Sequence, residues 1–123
     1  MKSNKRQELD ELFHQPIRLE IMAELCSSAE GRAFMDLREK CELTDGNLSR
    51  HLQALAQAGA IKLKKSFVKA KPLTTVSVTP KGRDRFLEYL NALEEVLRDA
   101  TKRATGKSKE RPVAFGVVKP SNS

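Results

Sequence analysis

The stretch Leu43–Ile61, LTDGNLSRHLQALAQAGAI, holds a helical period together with a start signal and a stop signal. Leu48, Leu52 and Leu55 recur at spacings of four and three, so they stack on one face of a helix. At about 100° per residue, Gly46, Arg50, Gln53 and Gln57 fall on the opposite face, flanked by Asn47 and Ala54. Thr44 is a good N-cap, and Asp45 sets an acid in the first turn, where the helix dipole favours one. Asn47 stands where a full capping box would need Glu or Gln. Ala58-Gly59 ends the period, with Gly59 as the expected C′ residue. The spacing predicts a helix over about 44–58.

Its polar face is unlike an ordinary solvated face, which is rich in Glu and Lys. Asn, Ser, Arg and two Gln are offered instead, near a glycine. Such side chains pair with base edges, Arg with guanine and Asn or Gln with adenine, and they also hold phosphates. Taken alone, the helix supports that reading and a plain polar surface about equally.

The following stretch, Ile61 to Thr79, adds weight. Ile61 and Leu63 alternate with Lys62 and Lys64, and Val76 and Val78 with Ser77 and Thr79, which predicts two strands with one buried face each. Between them a loop of roughly 66–72 carries Lys69 and Lys71, making a hairpin with a basic tip. The chain's net charge of +7 is unevenly spread: residues 61–83 hold seven basic residues and no acidic one, whereas residues 1–60 are net −2. A concentrated basic strip beside an exposed polar helix is an electrostatic footprint for nucleic acid, although basic loops also serve solubility alone.

These residues resemble a winged helix-turn-helix transcription regulator of the broad MarR/ArsR type. Pro16-Ile17-Arg18 followed by Ile21-Met22 and Leu25 is similar to the opening helix of such domains, and Phe34–Arg38 to the helix before the turn. Leu48-Ser49, His51-Leu52, Leu55 and Gly59 match the recognition helix and its exit, and Val78-Thr79-Pro80-Lys81-Gly82 the end of the wing. The match covers about residues 12–90. The resemblance implies an α+β, mostly helical winged-helix fold with a three-helix core, a β-hairpin wing and a long C-terminal helix. A short strand near Gly31-Arg32-Ala33 would complete the wing sheet. It also implies DNA contacts from Thr44, Asn47, Ser49, Arg50, Gln53 and Gln57 on the helix, and from Lys64, Lys65, Lys69 and Lys71 on the wing. The helix would lie in the major groove and the wing, about 62–76, on the backbone or in the minor groove. His51 lies on the flank of the leucine face and reads as structural.

From Thr79 a long helix is expected to about Thr101, with Pro80 at its first position. Phe86, Leu90, Leu93 and Leu97 have heptad spacing, and Leu87, Tyr89 and Val96 form a second stripe. One stripe can pack on the domain and the other on a second copy, with Leu9, Leu12 and Phe13 joining it. The expected partners are therefore double-stranded DNA and a second copy of the chain, and no membrane. A small-molecule effector at the dimer interface fits the family, yet no residue constellation identifies one. The competing reading is a winged helix used for protein–protein interaction without specific DNA binding. The acid-free strip over 61–83 argues against it.

At 123 residues, one domain is expected over 1–103, followed by a flexible basic tail over 104–123. No apolar run is long enough for a transmembrane helix, and the charged start MKSNKRQELDEL lacks an apolar signal core, so cytoplasmic residence is expected. Cys26 and Cys41 have no chelating partner nearby in sequence and read as packed thiols, with no metal or cofactor expected. Asp45, Ser49 and His51 are too close on one helix to face each other, and no phosphate-binding glycine loop is present, so no enzyme is expected.

Overall fold

The computed structural model describes residues 9–106. The elements run α1 (Pro16–Cys26), β1 (Arg32–Ala33), α2 (Phe34–Lys40), α3 (Asp45–Gln57), β2 (Ile61–Val68), β3 (Lys71–Val78) and α4 (Pro80–Thr105). The strands form one antiparallel sheet in the order β1-β3-β2, so the short third strand expected near residue 32 pairs with β3. The architecture is the winged-helix arrangement that the sequence implied. Among the described residues, no helix is long and apolar enough to cross a membrane.

Two compact units divide the chain. In the unit Glu11–Leu87, the core is built from Ile21, Met22 and Leu25 of α1, Leu37 of α2, Leu48, Leu52 and Leu55 of α3, and Ile61 and Val76 of the sheet. Each such side chain contributes about 1.5–3 kcal/mol on burial. Phe13 and Phe86 close this core edge to face, their ring centroids 5.2 Å apart, with the Arg85 guanidinium 5.7 Å from the Phe13 ring centre. In the other unit, the described residues are Leu9, Asp10 and α4 from Glu88 onward, where Tyr89 and Ala92 are buried and Leu90, Leu93, Val96 and Leu97 are half-buried.

Three expectations are corrected. The wing strands extend to Val68 and from Lys71, so the loop expected over 66–72 is a two-residue turn. Lys69 and Ala70 make that turn with φ of 55° and 67°, a left-handed pair that hides from sequence reading because neither is Gly or Asn. The last helix runs to Thr105, past the tail boundary expected at 104; residues 107–123 of that tail, and residues 1–8, lie outside the described residues. Finally, Phe13, Phe86 and Tyr89, expected at a dimer interface, are at most 2% exposed in the single chain. The chain's own folding takes these rings, so they are not left free for a second copy.

One close approach joins the sheet to α4. A Cβ on Gly82 would stand 2.0 Å from the Ala60 carbonyl oxygen and 2.6 Å from the Ala60 Cα. Thr79 clamps the same point. Its hydroxyl donates to the Gly59 carbonyl at 2.7 Å and accepts from the Gly82 amide at 2.9 Å, and its amide donates to the Ala60 carbonyl at 3.0 Å. Thr79 is thus the N-cap of α4, ahead of Pro80 at N1. Only glycine fits at the third helical position. Gly82→Ala is therefore expected to destabilise the fold by about 1–3 kcal/mol or more, since the obstruction is backbone rather than a movable side chain. Thermal unfolding checks it, and an unchanged midpoint would refute the close approach.

Candidate nucleic-acid interface

Helix α3 is held by the signals read from its sequence. The Thr44 hydroxyl accepts from the Asn47 amide at 3.1 Å, and Asp45 lies in the first turn. At the other end, Gly59 has φ of 78°, with the Gly59 amide bonded to Ala56 and the Ala60 amide to Leu55. This pair of bonds is a Schellman closure. The turn before α3 closes α2 in the same way: Glu42 takes φ of 55°, its amide donates to Glu39, and the Leu43 amide donates to Arg38. Arg38 also reaches Asp45 at 2.8 Å, an exposed ion pair that ties the end of α2 to the start of α3.

With Leu48, Leu52 and Leu55 buried, the helix must turn its other side outward. Thr44, Asn47, Ser49, Arg50, Gln53 and Gln57 are all exposed. The Arg50 guanidinium lies 3.4 Å from the Asn47 side-chain oxygen, one turn away, so two potential base-reading groups stand together.

Strand register sorts the wing lysines. Lys65 pairs with Thr74, and Leu63 with Val76, so these four share one face of the hairpin with Phe67 and Pro72. That face is turned to α3. Phe34, Ser49, Leu52, Gln53, Leu63, Lys65 and Thr74 line an open groove of about 300 Å³, with an apolar floor and a polar rim. Lys62, Lys64 and Lys71 project from the opposite face, and Lys69 occupies the turn. The candidate lysines therefore do not form one patch: Lys65 joins the helix side chains, Lys69 sits at the tip, and Lys64 and Lys71 lie behind. The face of Phe67 was hidden in the sequence because the loop assignment over 66–72 concealed the period-two pattern, and that of Thr74 because it comes from pairing with Lys65.

His51 faces inward. Its Nδ1 accepts from the Arg18 Nε at 3.0 Å, and Arg18 also donates to the Leu12 carbonyl at 3.2 Å, which pins α3 to α1 and to the segment before it. Burial lowers the His51 pKa from its ordinary 6.5, and the nearby Arg18 and Arg50 charges lower it further. Both cysteine thiols are pushed upward, chiefly by burial. Thiols held protonated are poor nucleophiles and poor metal ligands, in keeping with packed side chains.

The family model described as a winged helix DNA-binding domain matches residues 17–97. The uncharacterized protein MJ0432 of Methanocaldococcus jannaschii is 39% identical over 79 residues, which cover 64% of this chain and 85% of that protein. A transcriptional regulator homologue from Pyrococcus horikoshii shares the fold with a TM-score of 0.72 at 26% identity, over 78% of this chain and 96% of that one. The MepR protein of S. aureus, in a MepR–DNA complex, matches with a TM-score of 0.63 at 14% identity, over 81% of each chain.

The Arg18–His51 bond has a pH consequence. Since folding lowers the His51 pKa, the unfolded chain binds that proton more readily. The stabilising contribution is complete above about pH 6.5 and is lost as pH falls through the lowered value. Taking the protein from about pH 7.5 to about pH 5 should lower its melting temperature more than it lowers that of His51→Gln. Melting curves recorded in parallel check this, and equal responses of the two proteins would count against the bond.

Proposed function

The chain belongs to the winged helix DNA-binding domain family, and from that premise we propose that it is a homodimeric transcriptional regulator that binds double-stranded DNA sequence-specifically. The observation that carries this reading is the exposed face of Asn47, Ser49, Arg50, Gln53 and Gln57 beside a hairpin without a single acidic residue. Amides next to one guanidinium can pair with base edges, Asn or Gln with adenine and Arg with guanine, and the acid-free hairpin beside them favours that use over a plain polar surface. In this reading α3 enters the major groove, Arg50 and Asn47 contact bases, and Thr44, Ser49 and Gln57 contact bases or phosphates. Lys65 and Lys69 grip the backbone or the minor groove, and Lys64 and Lys71 add field from behind. The solved MepR–DNA complex, which shares this fold, is in keeping with that use of the fold.

The half-buried Leu90, Leu93 and Leu97 of α4 keep heptad spacing with apolar area to spare, which supports a second copy as their partner. Leu9 and Leu12, also half-buried, extend the same proposal to the N-terminal segment. A twofold dimer would set two α3 helices about 34–36 Å apart, one turn of DNA, or a multiple of it.

Selection of genomic fragments at physiological salt tests the reading. A pseudo-palindromic site is expected, and unenriched bulk DNA would refute it in favour of a protein-binding winged helix. On the selected site, Arg50→Ala should cost about 1–3 kcal/mol and relax the preference at one position of each half-site. Lys69→Ala should instead weaken all duplexes alike and reduce the slope of log K against log salt by about one. Binding isotherms over a salt series separate the two, and a sequence-selective loss in Lys69→Ala would contradict its phosphate role.

A further inference from the structure

Phe67, near the end of the wing in the unit Glu11–Leu87, is 73% exposed. It stands opposite Pro72 in the strand register, so ring and pyrrolidine share one face. That face also carries Leu63 and Lys65, which line the groove with Ser49 and Gln53 of α3. The apolar cap therefore looks toward the same side as the exposed helix. It is stiffly mounted: the strands pair continuously to Val68 and Lys71 and close through a two-residue turn.

Reach and charge point to one occupant. Phe67 lies six residues beyond the buried Ile61, about 20 Å along an extended strand. One turn of DNA rises about 34 Å, so the minor groove flanking a helix-filled major groove is about half that, roughly 17 Å, away. Lys65 shares the face of the cap and Lys69 sits in the turn next to it, and the stretch 61–83 has no acid to repel a polyanion. Apolar side chains carried into a minor groove between basic residues act as wedges that part-unstack a base step and kink the duplex.

We propose that Phe67, backed by Pro72, is a minor-groove wedge that opens a base step flanking each half-site. The inference rests on the DNA-binding reading above and adds a second source of specificity to it. Deformation is easiest at pyrimidine–purine steps, so the wing reads the pliability of DNA outside the bases that α3 contacts. No hydrogen bond from Phe67 is needed, and the lysines around it hold the phosphates while the ring enters.

The test selects binding sites in parallel from a random-core duplex library with wild type, Phe67→Ala, Phe67→Leu and Lys65→Ala. The best wild-type duplex is then made with 2-aminopurine at the flanking step. Wild type should enrich TA or CA/TG about half a turn outside the half-site core, with 2-aminopurine fluorescence rising severalfold on binding. Phe67→Ala should keep the core site and its melting temperature. It should lose the flanking preference and the fluorescence rise, and bind the wild-type duplex about tenfold more weakly. Phe67→Leu should retain most of both signals, whereas Lys65→Ala should weaken every duplex and leave the flanking preference intact. Unchanged selection and fluorescence in Phe67→Ala would overturn the wedge while leaving the regulator reading standing. A wild-type protein that enriches no site at all would overturn both. A change in sedimentation of the free protein on Phe67→Ala, with DNA distortion unaltered, would make the tip a contact between copies and also overturn the wedge.

Discussion

The backbone contact between Gly82 and Ala60 is the constraint from which the geometry of the interface follows. Ala60 stands at the exit of α3 and the entry of β2, and Gly82 lies in the first turn of α4. With a Cβ position only 2.0 Å from a carbonyl oxygen, the two chain segments leave no room for a side chain. Thr79 locks them by bonding both Gly59 and Gly82 through one hydroxyl. The end of α3, the root of the wing and the start of the long helix are thereby fixed at a single point. A shift there would change the angle between helix and wing, and with it every contact that depends on their spacing.

The exposed face of α3 is a consequence of the buried one. Leu48, Leu52 and Leu55 are almost completely buried, so the rotation of the helix about its own axis has no freedom left. Arg18 and His51 tie its middle, and a left-handed residue stands in the turn on either side of it, Glu42 before and Gly59 after. The exposed side chains of α3 are thus carried on a scaffold already ordered, which would limit the entropy lost if they bind DNA as proposed.

The wing works by a different logic. Its charge acts over a Debye length of about 8 Å at physiological salt, so in the proposed reading lysines on either face would add to the attraction of a polyanion. Only the face shared by Lys65, Thr74 and Phe67 is turned to the helix, however, so a ligand lying on α3 would meet that face at short range. Net charge alone would rank Lys64 and Lys65 as equivalents, whereas alternation along the strand sets them on opposite sides.

The sequence by itself determined the order of elements, the rotation of α3, its N-cap and its glycine stop, because these follow from local period and from backbone chemistry within a few residues. It also determined where the positive charge lies. Tertiary structure alone decided which large apolar residues are spent inside: Phe13, Phe86 and Tyr89 have the spacing of an interface and the burial of a core. It also decided the length of the wing, because Lys69 and Ala70 enter a left-handed turn that their side chains do not advertise. Cross-strand pairing then supplied the face of Phe67, a property of two strands in register that no single segment contains. Periodicity is local and legible; the competition among apolar surfaces for one core, and the register of distant strands, are settled only when the whole chain packs.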